Sequence, residues 1–248
     1  VVSALFAVVV TALALGCAKS PAPEPLAVRP LVPAAGEKVG VQHVALLFDA
    51  SSTIVEDGHF PAQKLAYRGF IDGMPEGRYE VEAVAFGGSA RQRSALAPFA
   101  RAGLVKHADE IRKRREGTPI DRVLAELQGS LAGKGERAAV VLFSDGVPSD
   151  LVGREVSQAA VLDQARALAK SYKGNVCFHG VHTGADPVGQ AFLQEFSRVT
   201  SCGSVRTLAS VSDAGGIGRF GREALLAAAP AAAAPKALSA AAEDAHDL

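Results

Sequence analysis

The sequence predicts an α/β domain: a doubly wound, mostly parallel sheet with helices on both faces and one antiparallel edge strand. Three observations predict it. The runs Val44-Ala45-Leu46-Leu47-Phe48 and Val140-Val141-Leu142-Phe143 are unbroken apolar stretches, as strands require when both of their faces are covered. Strand and helix signals alternate through residues 41–227, the pattern of parallel strands joined by helical crossovers. One segment, residues 89–97, is more polar than the others, which suits the edge of a sheet.

The elements follow in order. Residues 43–49 form the first strand of the sheet, with Asp49 at its carboxyl end. Residues 60–71 form a helix that turns Leu65, Ala66 and Phe70 inward. Residues 78–86 are a strand closed by Gly87-Gly88, and residues 89–97 the edge strand. Residues 104–114 read as an amphipathic helix whose last turn carries Arg112-Lys113-Arg114-Arg115, cations placed where the helix dipole is negative. This run has the charge to steer an acidic partner, although a solvated face is the favoured explanation. Residues 119–131 form a helix with Pro119 at its first position, where no N–H is needed. Residues 138–144 are the second apolar strand. Residues 157–172, 176–182, 188–200, 204–208 and 212–227 continue the alternation.

Outside that core the composition changes. Residues 1–16 are almost wholly apolar and end in small residues before Cys17. The stretch is short for a membrane span and has the character of a secretory signal. Leu13-Ala14-Leu15-Gly16-Cys17 resembles a bacterial lipobox, with the usual order of Ala14 and Leu15 reversed. The resemblance implies acylation of Cys17, and Ala18 in place of an aspartate after it implies an outer-membrane lipoprotein facing the periplasm or the cell surface. Residues 17–40, rich in Pro, Ala and Gly, are expected to be a flexible linker. Residues 228–248, rich in Ala and Pro and then acidic, are expected to be a disordered tail. Among 248 residues, 26 basic and 26 acidic side chains balance to a formal charge of zero, which argues against a nucleic-acid partner. Membrane contact is expected through the lipid anchor only. In an oxidising periplasm Cys177 and Cys202 are expected to pair; two buried free thiols are the alternative.

Asp49, Ser51 and Thr53 place three oxygen-bearing side chains in one tight loop. Thr118 lies in Gly117-Thr118-Pro119 at a helix start, and Asp145 in Ser144-Asp145-Gly146 at the end of the second apolar strand. Each residue alone suits a helix cap or a turn. In a doubly wound sheet, however, all three loops reach the carboxyl edge, where such folds bind ligands. Two carboxylates and three hydroxyls suit a hard divalent cation such as Mg²⁺.

Together, Asp49-Ala50-Ser51-Ser52-Thr53, Thr118 and Asp145 resemble the metal-ion-dependent adhesion site of von Willebrand factor type A domains. The resemblance spans residues 41–227. The family pattern is Asp-x-Ser-x-Ser; Thr53 keeps the hydroxyl of the third slot, and Ser52 stands where many members have Gly. The resemblance implies the type A fold, with Asp49, Ser51, Thr53, Thr118 and Asp145 around Mg²⁺, Mn²⁺ or Ca²⁺. It also implies a binding module rather than an enzyme, whose protein partner offers an acidic side chain to the metal.

A second reading is a metal-dependent hydrolase of the haloacid-dehalogenase type, whose Asp-x-Asp-x-Thr loop is similar to Asp49-x-Ser51-x-Thr53. Ser51 stands where that chemistry has its general acid, which leaves the leaving group without a proton donor. His179 and His182, three apart on a strand, fall on opposite faces and are not expected to share a zinc. Gly87-Gly88-Ser89 lacks the Lys of a phosphate loop and reads as a turn.

Overall fold

The two unbroken apolar runs become neighbouring central strands in the computed structural model of the protein, which describes residues 24–114, 116–131 and 136–228. The strands in chain order are β1 (Glu37–Val39), β2 (His43–Asp49), β3 (Glu80–Gly87), β4 (Ala90–Pro98), β5 (Ala138–Ser144), β6 (Val176–His182), β7 (Ser204–Thr207) and β8 (Leu226–Ala228). Six of them form one sheet in the order β4-β3-β2-β5-β6-β7. Only the β3–β4 pair is antiparallel in this sheet, in agreement with the expected fold class. The helices are α1 (Ser52–Glu56), α2 (Phe60–Gly73), α3 (Arg101–Glu110), α4 (Ile120–Ser130), α5 (Gln158–Ser171), α6 (Pro187–Ser197) and α7 (Ala214–Leu225).

Every residue of β2, β5 and β6 is buried, and side-chain alternation divides them between two cores. Val44, Leu46 and Phe48 of β2 join Ala139, Val141 and Phe143 of β5 against α2, α3 and α7. Ala45 and Leu47 join Val140 and Leu142 against α4, α5 and α6. Tyr67 of α2 wedges edge-on between Phe48, at 5.1 Å, and Phe143, at 5.3 Å, which fixes α2 over the two central strands. Because β2 and β5 run parallel in register, from His43 opposite Ala138 to Phe48 opposite Phe143, Asp49 and the Ser144-Asp145 pair arrive at the same edge.

Cys177, at the start of β6, is bridged to Cys202 in the turn before β7. Their sequence separation is 25, and closing a loop of that length stabilises the fold by roughly 3 kcal/mol in a chain-entropy account.

Several expectations are corrected. The flexible linker over 17–40 does not hold for its described part. From Glu24 the chain forms a strap across α2 and α7, with Leu26 and Val28 packed on the core. Glycines make room for it: a methyl at Gly73 would lie 3.0 Å from Val28, and one at Gly221 would lie 2.9 Å from Leu31. The strap ends in β1, which pairs antiparallel with β8, so the expected helix over 212–227 stops at Leu225. The helix expected over 104–114 runs instead from Arg101 to Glu110. The chain leaves it extended because Ile111 is buried and the Arg114 N–H donates to the Ala50 carbonyl. The Arg112-Lys113-Arg114 run therefore lies beyond the helix and does not cap its dipole. Helix α4 begins at Ile120, with Pro119 just before it.

Candidate metal centre

Three loops meet at the carboxyl edge. The first leaves β2 at Asp49 and turns into α1. Asp49 Oδ1 accepts the Ser51 N–H at 2.9 Å, which bends the chain back over the carboxylate. The turn brings Ser51 Oγ to 3.3 Å from Thr53 Oγ1. Gln63 of α2, wholly buried, donates its amide to the Asp49 carbonyl at 2.6 Å and holds the loop from below. The second loop leaves β5. The Thr53 hydroxyl donates to Asp145 Oδ2, joining the two loops directly. Ser144 joins them again, donating its hydroxyl to Asp49 Oδ2 at 2.6 Å. Asp145 Oδ1 accepts the Val147 N–H at 3.0 Å.

The third loop carries Thr118. Its backbone N–H donates to Ser149 Oγ at 2.7 Å, and its carbonyl accepts the Ser149 N–H at 3.1 Å. The Ser52 N–H donates to the neighbouring Glu116 carbonyl at 3.0 Å. Thr118 is buried and shares with Thr53 the wall of a cavity of about 200 Å³. Gly117 allows this approach: a methyl there would sit 1.8 Å from the Asp150 carbonyl oxygen.

The electrostatics of the pair are unfavourable without a cation. Burial, then the nearby Asp145 charge, pushes the Asp49 carboxyl up to about 7, against the opposing hydrogen bonds from Ser144 and Ser51. Burial also raises Asp145, offset in part by its hydrogen bond from Thr53. Among the described residues neither carboxylate forms an ion pair with Lys or Arg. Two buried acids with hydroxyl partners and no Lys or Arg paired to them are a donor set that a divalent cation fits. No group of three or more His, Cys, Asp or Glu able to hold a metal occurs among the described residues, so any cation here relies on hydroxyl oxygens.

No protein-family profile matches this chain, and no curated protein matches it. Solved structures do. The von Willebrand factor type A protein from Catenulispora acidiphila superposes with a TM-score of 0.56 at 16% identity, over 80% of this chain and 47% of that one. The von Willebrand factor domain of the type V pili tip protein Mfa5 from Porphyromonas gingivalis gives 0.57 at 12% identity, over 75% of this chain and 95% of that one. This chain has the von Willebrand factor type A fold. An aerotolerance-related membrane protein from Bacteroides fragilis gives 0.55 at 15% identity, over 73% and 97% of the two chains. Proximal thread matrix protein 1 from the mussel byssus, solved with a zinc-occupied adhesion motif, gives 0.51 at 20% identity, over 71% of this chain and 46% of that one.

Within this fold, hydrogen bonds tie Asp49, Ser51, Thr53 and Asp145 into one cluster, and Thr118 joins Thr53 through the shared cavity wall. Three supporting residues went unread in the sequence. Ser144 was visible as a polar residue ending an apolar strand. Gln63 and Ser149 gave no signal, because their partners are set by the tertiary fold. His179 and His182 diverge: the His179 ring meets Phe220 of α7, whereas His182 lies near Asp145 and Asp186. Burial lowers His182, and the two acids oppose that shift. Cys17 lies outside the described residues.

Proposed function

We propose that this domain holds a divalent cation, Mg²⁺, Mn²⁺ or Ca²⁺, through Asp49, Ser51, Thr53, Thr118 and Asp145. Through that cation it binds a protein partner that offers an acidic side chain. The observation that carries the reading is the pair of buried acids held by hydroxyl and backbone donors, Ser144 on Asp49 and Thr53 on Asp145, with no Lys or Arg paired to either among the described residues and only His182, whose own charge burial disfavours, near Asp145. Five protein oxygens leave a hexacoordinate cation one open position, which an outside carboxylate can take; where one of the two acids contacts the cation through water, the cation also keeps residual positive charge. The zinc found in the mussel byssus neighbour supports the metal assignment. Ser51 in place of an acid favours binding over phosphoryl chemistry.

Calorimetric titration with Mg²⁺ and Mn²⁺ tests the site. Thr118→Ala and Asp145→Ala are each expected to weaken binding at least tenfold while far-UV circular dichroism stays unchanged. Wild-type affinity in both variants would refute the assignment. A pull-down from envelope extracts with and without chelator would then identify the partner.

The same reading places the protein in the bacterial envelope, anchored through acylated Cys17 at the outer membrane. Cys17→Ser is expected to move the protein from the membrane pellet to the soluble fraction; persistence in the pellet would remove the anchor from the proposal.

A further inference from the structure

We propose that Glu155 is an internal ligand: its carboxylate takes the cation's open position until a partner's acid displaces it. The inference rests on the metal site proposed above. Asp49 and Ser51 are 0% and 1% exposed, so an incoming group reaches the cluster through the cavity walled by Thr53 and Thr118. Glu155 lines that same cavity, with Val147, Pro148 and Ser149.

Its position is built into the fold. Residues 149–156 form a small hairpin in which Ser149 and Glu155 are paired antiparallel. Asp150 Oδ1 accepts the N–H groups of Val152 and Arg154 at 2.9 Å each, and the Asp150 N–H donates to the Arg154 carbonyl at 2.7 Å. The hairpin is bound to the Thr118 loop by the two Ser149 hydrogen bonds and by the close packing of Gly117 on Asp150. Thr118, a metal donor in this reading, and the exposed Glu155 are thus carried by one hydrogen-bonded unit. Among the described residues Glu155 forms no ion pair.

A tethered carboxylate competes at an effective concentration of roughly millimolar or above. A free acid at lower concentration cannot displace it, so a partner must add contacts beyond its own carboxylate. The surface for them is present: Val152 on the hairpin is 73% exposed, and Val188, beside the Gly189 contact with Asp145, is 59% exposed. The partner chemistry that follows is an acidic side chain flanked by aliphatic ones.

The test compares the full chain with its Glu155→Gln variant, using Mn²⁺ and acetate as probes. Calorimetry is expected to show Mn²⁺ binding weakened roughly three- to tenfold by loss of one charged ligand. Water-proton relaxation is expected to show one additional exchangeable water on the bound Mn²⁺. Acetate is expected to bind the Mn²⁺-loaded variant several-fold more tightly than the loaded wild type. Glu195→Gln, an exposed change on α6, should alter none of these. Unchanged acetate binding, an unchanged water count, or an equal effect from Glu195→Gln would overturn the inference while leaving the metal site intact. Failure of the wild type to bind Mn²⁺ would remove both.

Discussion

Asp49→Asn is expected to raise the melting temperature of the chelator-treated protein at pH 8 and to abolish the further rise that Mg²⁺ gives the wild type. The argument is one of proton linkage. Burial and the Asp145 charge lift the folded Asp49 carboxyl from 3.8 to about 7. Below pH 3.8 the group is protonated in both folded and unfolded chains and contributes no bias. Between these values the unfolded chain ionises first, so stability is lost steadily as pH rises. Above about 7 the loss is complete. At 1.36 kcal/mol per unit the penalty is on the order of 4 kcal/mol, which corresponds to several degrees or more for a domain of this size.

Asn keeps an acceptor for the Ser51 N–H and removes the charge. Its amide can donate to Ser144 Oγ, whose own hydrogen can turn to Asp145 Oδ1, 3.5 Å away. The variant should therefore exceed the wild type most at pH 8, with the gap narrowing towards pH 4. In the wild type the cation supplies the missing countercharge, and its binding stabilises the folded state by mass action. Thermal melts at pH 5 and pH 8, with and without Mg²⁺, measure both effects. A variant that melts below the wild type in chelator at pH 8 would show that the acid pair carries no such penalty.

Gly189→Ala is expected to weaken metal binding more than tenfold without altering a single proposed ligand. A methyl on Gly189 would lie 1.9 Å from the Asp145 carbonyl oxygen and 3.3 Å from the Gly146 carbonyl carbon. Gly146 reciprocates: it has φ +76, and a methyl there would lie 2.3 Å from the Gly189 carbonyl oxygen. These are contacts between backbones, so no side-chain rotation relieves them. Helix α6 and the β5 loop must then move apart, and the share of that movement taken by the loop carries Asp145 Oδ2 away from Thr53. Overpacking of this kind costs about 1–3 kcal/mol or more, so the melting temperature should fall as well. Gly103→Ala in α3, where a methyl meets nothing within 4 Å, is the control and should keep wild-type metal affinity. Wild-type affinity in Gly189→Ala would show that the position of Asp145 tolerates movement of α6.

The architecture was readable where burial leaves a strong mark in residue type. β2, β5 and β6 are buried along their whole length, which excludes polar residues from nearly every position. Because parallel strands bring their carboxyl ends together, Asp49 and Asp145 could be assigned to one edge from sequence alone. What could not be read depends on partners distant in sequence. Gln63 looks like any polar helical residue until its amide is seen on the Asp49 carbonyl. The helix expected over 104–114 failed because an amphipathic pattern does not record that Arg114 is needed at Ala50. The strap failed for a similar reason: Leu26, Val28 and Leu31 have no helical or strand period in a Pro-rich segment. They lie half-buried against the domain because Gly69, Gly73 and Gly221 notch the two helices beneath them.

That strap also governs where the upstream chain departs. Pro25 lies beside Phe60 and Pro61 at the start of α2, the end of that helix nearest the Asp49 loop. The downstream chain leaves after Ala228, at the opposite pole, where β8 follows α7. If Cys17 carries a lipid as proposed, the seven residues from Ala18 to Glu24 can reach at most about 25 Å. The rim proposed to hold the metal would then stay on a short leash to the bilayer, an arrangement that suits a partner at the same membrane better than one far across the periplasm.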